Sequence, residues 1–207
     1  MCYMATVECM EVLVGSAAVA VVSPESVPAD GMPYAMLLEK WAETLADPAV
    51  PADEIPAQLG RDAVACFSLA YDSPVPDAQV ASILAIDLKA VPELLGLMDD
   101  VAEVLLGKMG SPSHVPGILD GPAALRSGRR SSDPDFLYLD ALYHPDCRQA
   151  EARMAQGIIA SWSSHNAPEA GLTAYLPERG PLPAWYSRLP IAERPFGKLV
   201  KRIVEGA

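Results

Sequence analysis

Prolines interrupt this sequence along most of its length, and they account for 20 of its 207 residues. Proline lacks the backbone N–H that a helix interior or a central strand needs, so each one favours a first helical turn, a turn or a loop. The sequence therefore predicts short helices and strands with many connections. Hydrophobic residues make up 51% of the chain, which excludes disorder of the whole chain. At this length we expect a single domain, residues 1–207.

Charge and cysteine content narrow the possible functions. Aspartate and glutamate total 27 against 15 lysines and arginines, a formal charge of -12. Such a chain repels a phosphate backbone and an anionic lipid surface, so we expect no nucleic-acid and no membrane partner. The apolar run at residues 12–22 is too short to span a bilayer. The spacing of Cys2, Cys9, Cys66 and Cys147 matches no zinc site, which predicts reduced thiols, no metal and a cytoplasmic protein.

Hydrophobic spacing predicts a mixed α/β order of elements. Apolar residues recur every three or four positions in residues 32–46 and 91–105, which predicts two helices. A third helix is predicted over residues 148–165, where Met154, Ile158 and Trp162 lie four apart. Apolar or β-branched stretches predict strands within residues 6–22 and at 63–71, 80–88, 136–143, 172–176 and 196–204.

Residues 111–135 differ in kind, because they lack periodicity and are rich in Pro, Gly and Ser. This composition predicts a flexible insertion, with a functional lid as the alternative. The basic cluster of Arg126, Arg129 and Arg130 within it is interpreted as solvated loop charge, or as a clamp for a phosphate.

The C-terminal half of the chain resembles a known family. The segment LDALYHPDCR at residues 139–148 has the pattern of a strand and a proline turn, and Trp162 follows in the predicted helix. GLTAYL at residues 171–176 and AWYSRLPI at residues 184–191 continue the pattern. Over residues 85–195 the chain resembles the Gcn5-related N-acetyltransferases, the GNAT superfamily. The resemblance implies a GNAT-like single domain, with a central mixed, splayed β-sheet and helices on both faces.

The resemblance also implies a cofactor, acetyl-CoA or another acyl-CoA, bound where the helix begins. Its ligands would be Arg148, Gln149, Ala150, Glu151, Ala152 and Arg153. Glu151 and Arg153 stand where the family has glycines, so a carboxylate would face the diphosphate.

Three residues are the candidates for catalysis. Tyr186 matches the family tyrosine that protonates the leaving thiolate of CoA, and its alternative is a tyrosine at the core edge. Asp87 ends an apolar strand and would accept the proton of an incoming amine, or face water. His144 precedes a proline and could exchange protons at neutral pH, or lie solvated in the turn. Cys147 is considered as a nucleophile at a helix N-terminus.

The function implied by the resemblance is transfer of an acyl group from acyl-CoA to an amine of a small molecule. Two alternatives stay open. One is a GNAT-fold enzyme without CoA that performs cyclisation, isomerisation or dehydration in small-molecule biosynthesis. The other is a non-catalytic binding protein. The expected partner is a small-molecule substrate, and a homodimer stays open.

Overall fold

Helices and short antiparallel strands alternate along the chain in this computed structural model, which describes residues 4–72, 81–109, 135–138, 156–164, 171–177 and 181–205. In chain order the elements are α1 (Val7–Leu13), β1 (Val19–Val22), α2 (Tyr34–Ala46), α3 (Ile55–Tyr71), β2 (Ser82–Asp87), α4 (Val91–Met109), β3 (Phe136–Tyr138), β4 (Ile158–Ser163), β5 (Thr173–Tyr175) and α5 (Pro195–Glu205). Short 3₁₀ helices lie at Leu88–Ala90, Tyr186–Arg188 and Pro190–Glu193.

The central sheet has β2 in the middle, paired antiparallel with β1 and β4. Side chains alternate between the two faces of a strand, and β2 is buried on both. Ile83 and Ala85 pack on one face with α3. Leu84 and Ile86 pack on the other face, in the core that includes α1, α4 and α5. The sheet therefore lies between two helical layers.

Helix α3 lies close to the sheet because a glycine faces it. A Cβ atom at Gly60 would lie 3.0 Å from the Cβ of Ala85 and 3.1 Å from Cγ1 of Val19. Helix α2 packs on α3 through Leu37, and the indole Nε1 of Trp41 donates to the carbonyl of Leu59 at 2.9 Å.

A second, two-stranded sheet pairs β3 with β5 in antiparallel register. The apolar residues around β5, Leu172, Ala174 and Leu176, are buried in the core formed by α1, α4 and α5. This small sheet therefore packs on the same side of the central sheet as α1.

Several predicted elements are confirmed. The helices predicted at residues 32–46 and 91–105 are α2 and α4, and the strands predicted at 80–88 and 172–176 contain β2 and β5. Residues 6–22 hold one strand, β1, as expected, but α1 precedes it. Mixed α/β is the correct class. The expected mixed sheet is wrong for the described strands, because both sheets are wholly antiparallel there.

Three other predictions are wrong. Residues 63–71 belong to α3 and residues 196–204 to α5, whereas we expected strands. The end of the helix predicted over 148–165 is strand β4. A spacing of four residues returns to the same face in a strand as well as in a helix, so Ile158 and Trp162 fitted both. Residues 110–134 and 139–155, which hold the predicted insertion and the rest of that helix, lie outside the described residues.

Candidate functional site

Residues 4–6 lead into α1 and are held from two sides. The backbone N–H groups of Met4 and Ala5 donate to the carbonyl oxygen of Ser23, at 3.0 and 3.2 Å, just beyond β1. On the other side, the carbonyl of Ala5 accepts from the backbone N–H of Thr173 at 2.8 Å and from its hydroxyl at 3.2 Å. Thr6 caps α1, since its side-chain oxygen accepts from the N–H of Cys9 at 3.2 Å. The chain reaches the surface at Met4, which is 37% exposed.

The loop that follows β1 is anchored to the rest of the protein. The hydroxyl of Ser23 donates to the carbonyl of Glu25 at 2.8 Å and accepts from its N–H at 3.1 Å, and both residues are buried. Gly31 adopts φ +73°, a left-handed conformation that glycine accepts without strain. The hydroxyl of Tyr71, at the end of α3, donates to the carbonyl of Gly31. The loop is therefore fixed at both ends.

Glu8 lies in the first turn of α1 and is 3% exposed. Its Oε1 accepts a hydrogen bond from the backbone N–H of Tyr175 at 3.0 Å. Among the described residues its Oε2 has no partner. Burial raises the pKa of this carboxyl group to about 7, because desolvation outweighs the hydrogen bonds that favour the charged form.

One turn further along α1, Glu11 belongs to a chain of charges. Arg194 contacts Oε1 of Glu11 at 3.4 Å and Oδ2 of Asp99 at 2.6 Å. The other oxygen of Asp99 accepts from the N–H of Phe196, at 3.1 Å, in the first turn of α5. Burial raises the pKa of Glu11, while Arg194 lowers it. These contacts tie α1, α4 and α5 together. Glu8 and Glu11 were not predicted as site residues, because strands were expected within residues 6–22.

The described cysteines have thiol groups with raised pKa values. Burial raises the pKa of Cys9, whose thiol lies 4.0 Å from the sulfur of Met4, and it also raises the pKa of Cys66 on α3. A raised thiol pKa lowers the fraction of the reactive thiolate. Cys2 and Cys147 lie outside the described residues, as do all three histidines, His114, His144 and His165.

Of the three predicted catalytic residues, the structure describes Tyr186 and Asp87. Tyr186 is 2% exposed, its hydroxyl has no hydrogen-bond partner within the described ranges, and burial raises its pKa far above the usual value. Its ring lies 6.0 Å, between centroids, from the rings of Tyr175 and Trp185. Asp87 ends β2, where its side chain accepts from the N–H of Lys89 at 2.9 Å. His144 and residues 148–153 fall outside the described part of the chain.

Within the described ranges, no group of three or more His, Cys, Asp or Glu side chains could hold a metal ion. Over the same residues, no helix combines the length and the apolar character that crossing a bilayer requires.

The fold is similar to that of several solved cysteine proteases. A cysteine protease from B. fragilis has a TM-score of 0.61 and 16% identity, covering 97% of this chain and 84% of that one. A clostripain from Bacteroides thetaiotaomicron, in complex with the peptide inhibitor BTN-VLTK-AOMK, has a TM-score of 0.61 and 14% identity, with coverage of 96% and 83%. An inactive zymogen of a C11 protease from Parabacteroides distasonis has a TM-score of 0.61 and 15% identity, with coverage of 93% and 56%. At these identities the similarity establishes the fold alone.

Sequence comparison identifies the family. No curated protein sequence matches the chain, but the model of the clostripain family, Peptidase C11, matches residues 1–143. The resemblance to the GNAT superfamily is therefore wrong, and so is the GNAT-like form of the fold. The same match overturns acyl transfer from acyl-CoA, and it supports neither alternative, the GNAT fold reused for proton-transfer chemistry or the non-catalytic binding protein. The acyl-CoA cofactor is also wrong, and the ligand roles of residues 148–153 are withdrawn with it. Because the match covers more than half of its residues, the chain belongs to the clostripain family.

Proposed function

We propose that this protein acts in peptide hydrolysis as a cysteine protease, with Cys2 as its nucleophile. The family match supports the reaction class, and it includes Cys2. The substrate is accordingly a peptide, in place of the small molecule expected from the sequence.

The choice of Cys2 follows from the other cysteines. Cys9 and Cys66 lie in α1 and α3, where burial raises their thiol pKa values and so disfavours the thiolate. Cys147 lies beyond the matched residues 1–143. Of the four cysteines, Cys2 is the one that lies within the match and outside the described helices α1 and α3.

Cys2 is also close in sequence to Met4, which is bonded to the loop after β1. It precedes Met4 by two residues, and covalent geometry keeps their Cα atoms within about 7 Å of each other. Met4 is bonded to Ser23, where that loop begins. A peptide whose carbonyl carbon reaches Cys2 would therefore lie near the surface formed by Met4 and residues 23–33.

The reaction requires two proton transfers. The Cys2 sulfur attacks the scissile carbonyl carbon while its proton passes to an imidazole, and that proton is then given to the leaving amine. Water next hydrolyses the thioester, releasing the carboxylic acid and restoring the thiol. His114, within the matched residues, His144 and His165 are the candidate bases within this sequence.

Covalent labelling tests the assignment of Cys2. The protein is incubated with BTN-VLTK-AOMK, the peptide inhibitor bound to the B. thetaiotaomicron clostripain, and the modified residue is located by peptide mass mapping. We expect one adduct, on Cys2, and loss of the adduct in Cys2→Ala but not in Cys66→Ala. An adduct on Cys9 or Cys147, or no adduct on the folded protein, would contradict the proposal. The variants His114→Ala, His144→Ala and His165→Ala then identify the base as the one whose labelling rate falls.

Localisation and the remaining partners stay predictions. A cytoplasmic location was expected from the free cysteines, whereas one of the similar structures is described as a secreted C11 cysteine protease, iotapain. The expected absence of nucleic-acid and membrane partners still rests on the charge of -12.

A further inference from the structure

We propose that Glu8 is a positioning residue for the nucleophile, because its carboxyl group, enclosed between α1 and β5, helps to fix residues 4–6, which follow Cys2 closely in the sequence. The inference rests on the proposed function, since it takes Cys2 as the nucleophile. Glu8 itself is three residues from Ala5 and does not act on substrate.

The first observation is the pairing along one edge of β5. The carbonyl of Ala5 accepts from the N–H of Thr173 at 2.8 Å. Residue 6 pairs with Thr173 in parallel, and on the same edge of a β-strand the next donor lies two residues on, at Tyr175. By then the chain has turned into α1, which begins at Val7. The Oε1 atom of Glu8 is the acceptor there, 3.0 Å from the N–H of Tyr175.

The second observation is that this bond completes a clamp on residues 4–6. Ser23 holds Met4 and Ala5 from the side of β1, while β5 holds Ala5 from the other side. Because β5 has only three residues, each bond on this edge is a large share of its attachment to α1. Loss of the Glu8 bond would leave the N–H of Tyr175 without this acceptor and would loosen the β5 side of the clamp.

The third observation is the unpaired oxygen. Oε2 of Glu8 and the hydroxyl of Tyr186 are both buried, and neither has a hydrogen-bond partner among the described residues. The titratable groups around Glu8 are Cys9 and Glu11 on α1 and Tyr186 below it. Arg194, the nearby cation, is bonded to Glu11 and Asp99. Protonated Glu8 is neutral, whereas loss of the proton leaves a buried carboxylate that no cation among the described residues is bonded to.

The bond to Tyr175 consequently depends on pH. The pKa of Glu8, about 7, places the loss of this proton near neutrality. Ionisation makes the enclosed state less favourable, so the clamp should open more often as the pH rises. Glu8→Gln keeps an acceptor of the same shape and cannot ionise, whereas Glu8→Ala removes the acceptor.

Two measurements on the full chain test the proposal. One is hydrogen exchange at the Tyr175 amide, and the other is the rate of Cys2 labelling by BTN-VLTK-AOMK. In Glu8→Ala we expect exchange to accelerate, and labelling to slow, by about tenfold each. The ratio of the Glu8→Gln labelling rate to the wild-type labelling rate should rise about threefold as the pH increases from about 6 to about 8. Glu103→Gln, an exposed carboxylate on α4, is the matched control and should behave as wild type at every pH.

The outcomes separate this inference from the proposed function. If wild type labels on Cys2 and folded Glu8→Ala labels at the same rate, the positioning role is overturned and the nucleophile is retained. If wild type does not label on Cys2, the nucleophile and the positioning role both fall, and Tyr175 exchange still reports the clamp. If Glu8→Ala does not fold, Glu8→Gln decides, and a constant ratio of its labelling rate to that of wild type across the pH range overturns the proposal.

Discussion

The two faces of the central sheet bury different kinds of polar group. On the α3 side, the buried carboxylate of Asp62 accepts from the hydroxyl of Thr44 and, at 2.9 Å, from the amide of Gln58. On the other side, α1 carries two carboxyl groups, each with one buried oxygen that lacks a partner among the described residues. On the α3 side, neutral donors therefore satisfy the buried acid. On the α1 side, each carboxyl group keeps one oxygen without a hydrogen-bond partner among the described residues.

This difference separates a scaffold from a functional region. Fully bonded polar groups fix one arrangement. Burial raises the pKa of the incompletely bonded carboxyl groups, to about 7 for Glu8, so the structure around them depends on pH. The incompletely bonded carboxyl groups, Glu8 and Glu11, lie on α1, which follows directly after residues 4–6. That segment comes two residues after the proposed nucleophile in the sequence. We therefore expect substitutions on the two faces to affect stability and labelling differently.

The largest effect expected is on the scaffold face. Phe67 is fully buried in α3, with its ring 4.7 Å from Tyr71 and 5.8 Å from Trp162. Phe67→Ala should lower the free energy of unfolding by about 4 kcal/mol, through lost burial and the cavity left behind. Urea denaturation measures the change. Leu69→Ala, on the same helix but 74% exposed, is the control and should change stability by less than about 0.5 kcal/mol.

The contrast between the two faces also predicts how Phe67→Ala affects labelling. Folded Phe67→Ala should still label on Cys2 at a rate close to that of wild type, because Phe67 packs away from α1. A large loss of labelling in the folded variant would show that the two faces are coupled, and the distinction between scaffold and functional region would then be wrong.

Strong amphipathic patterns were sufficient to predict part of the fold. Helices α2 and α4 have apolar residues at helical spacing, and β2 is a six-residue strand buried along nearly all of its length. The nine-residue apolar run at 63–71 fits a buried strand and a buried helix equally, and only its continuation from residue 55 marks it as α3. In α5 the spacing of Phe196, Leu199, Val200 and Ile203 does match one helix face, so the strand predicted there ignored a signal that was present.

The functional region was harder to predict because its groups come from distant parts of the chain. Glu8 meets Tyr175 across 167 positions, and Glu11 meets Arg194 across 183. Nothing local in the sequence specifies either pair. The family was missed because the resemblance was sought in the C-terminal half, whereas the match covers residues 1–143. Cys2 was therefore interpreted as an ordinary reduced thiol.

A smaller effect is expected from the ionisation of Glu8. Its pKa rises from 4.5 to about 7 on folding, so between these values the folded state holds more protons than the unfolded state. The free energy of unfolding should therefore fall by roughly 3 kcal/mol at most as the pH rises through this window. Above the window it should stay constant. The difference in unfolding free energy between wild type and Glu8→Gln, measured from about pH 4 to about pH 8, isolates this group. A difference that does not vary with pH would contradict the assignment.

The smallest effect concerns Arg194, which tests whether the charges of the functional face act as a network. Its side chain is 31% exposed, so solvent screens it in part, and Arg194→Met should cost about 2 kcal/mol. The loss arises because the carboxylates of Glu11 and Asp99, on α1 and α4, then face each other without a cation. It should therefore shrink as the pH falls, because burial raises the pKa of Glu11 and a protonated Glu11 no longer repels Asp99. Thr44→Val on the scaffold face removes a hydroxyl bonded to Asp62, and it should cost about 1 kcal/mol with no such rescue between about pH 6 and about pH 8. Equal pH dependence in the two variants would show that the acids of both faces respond alike, and the contrast between the faces would then rest on packing alone.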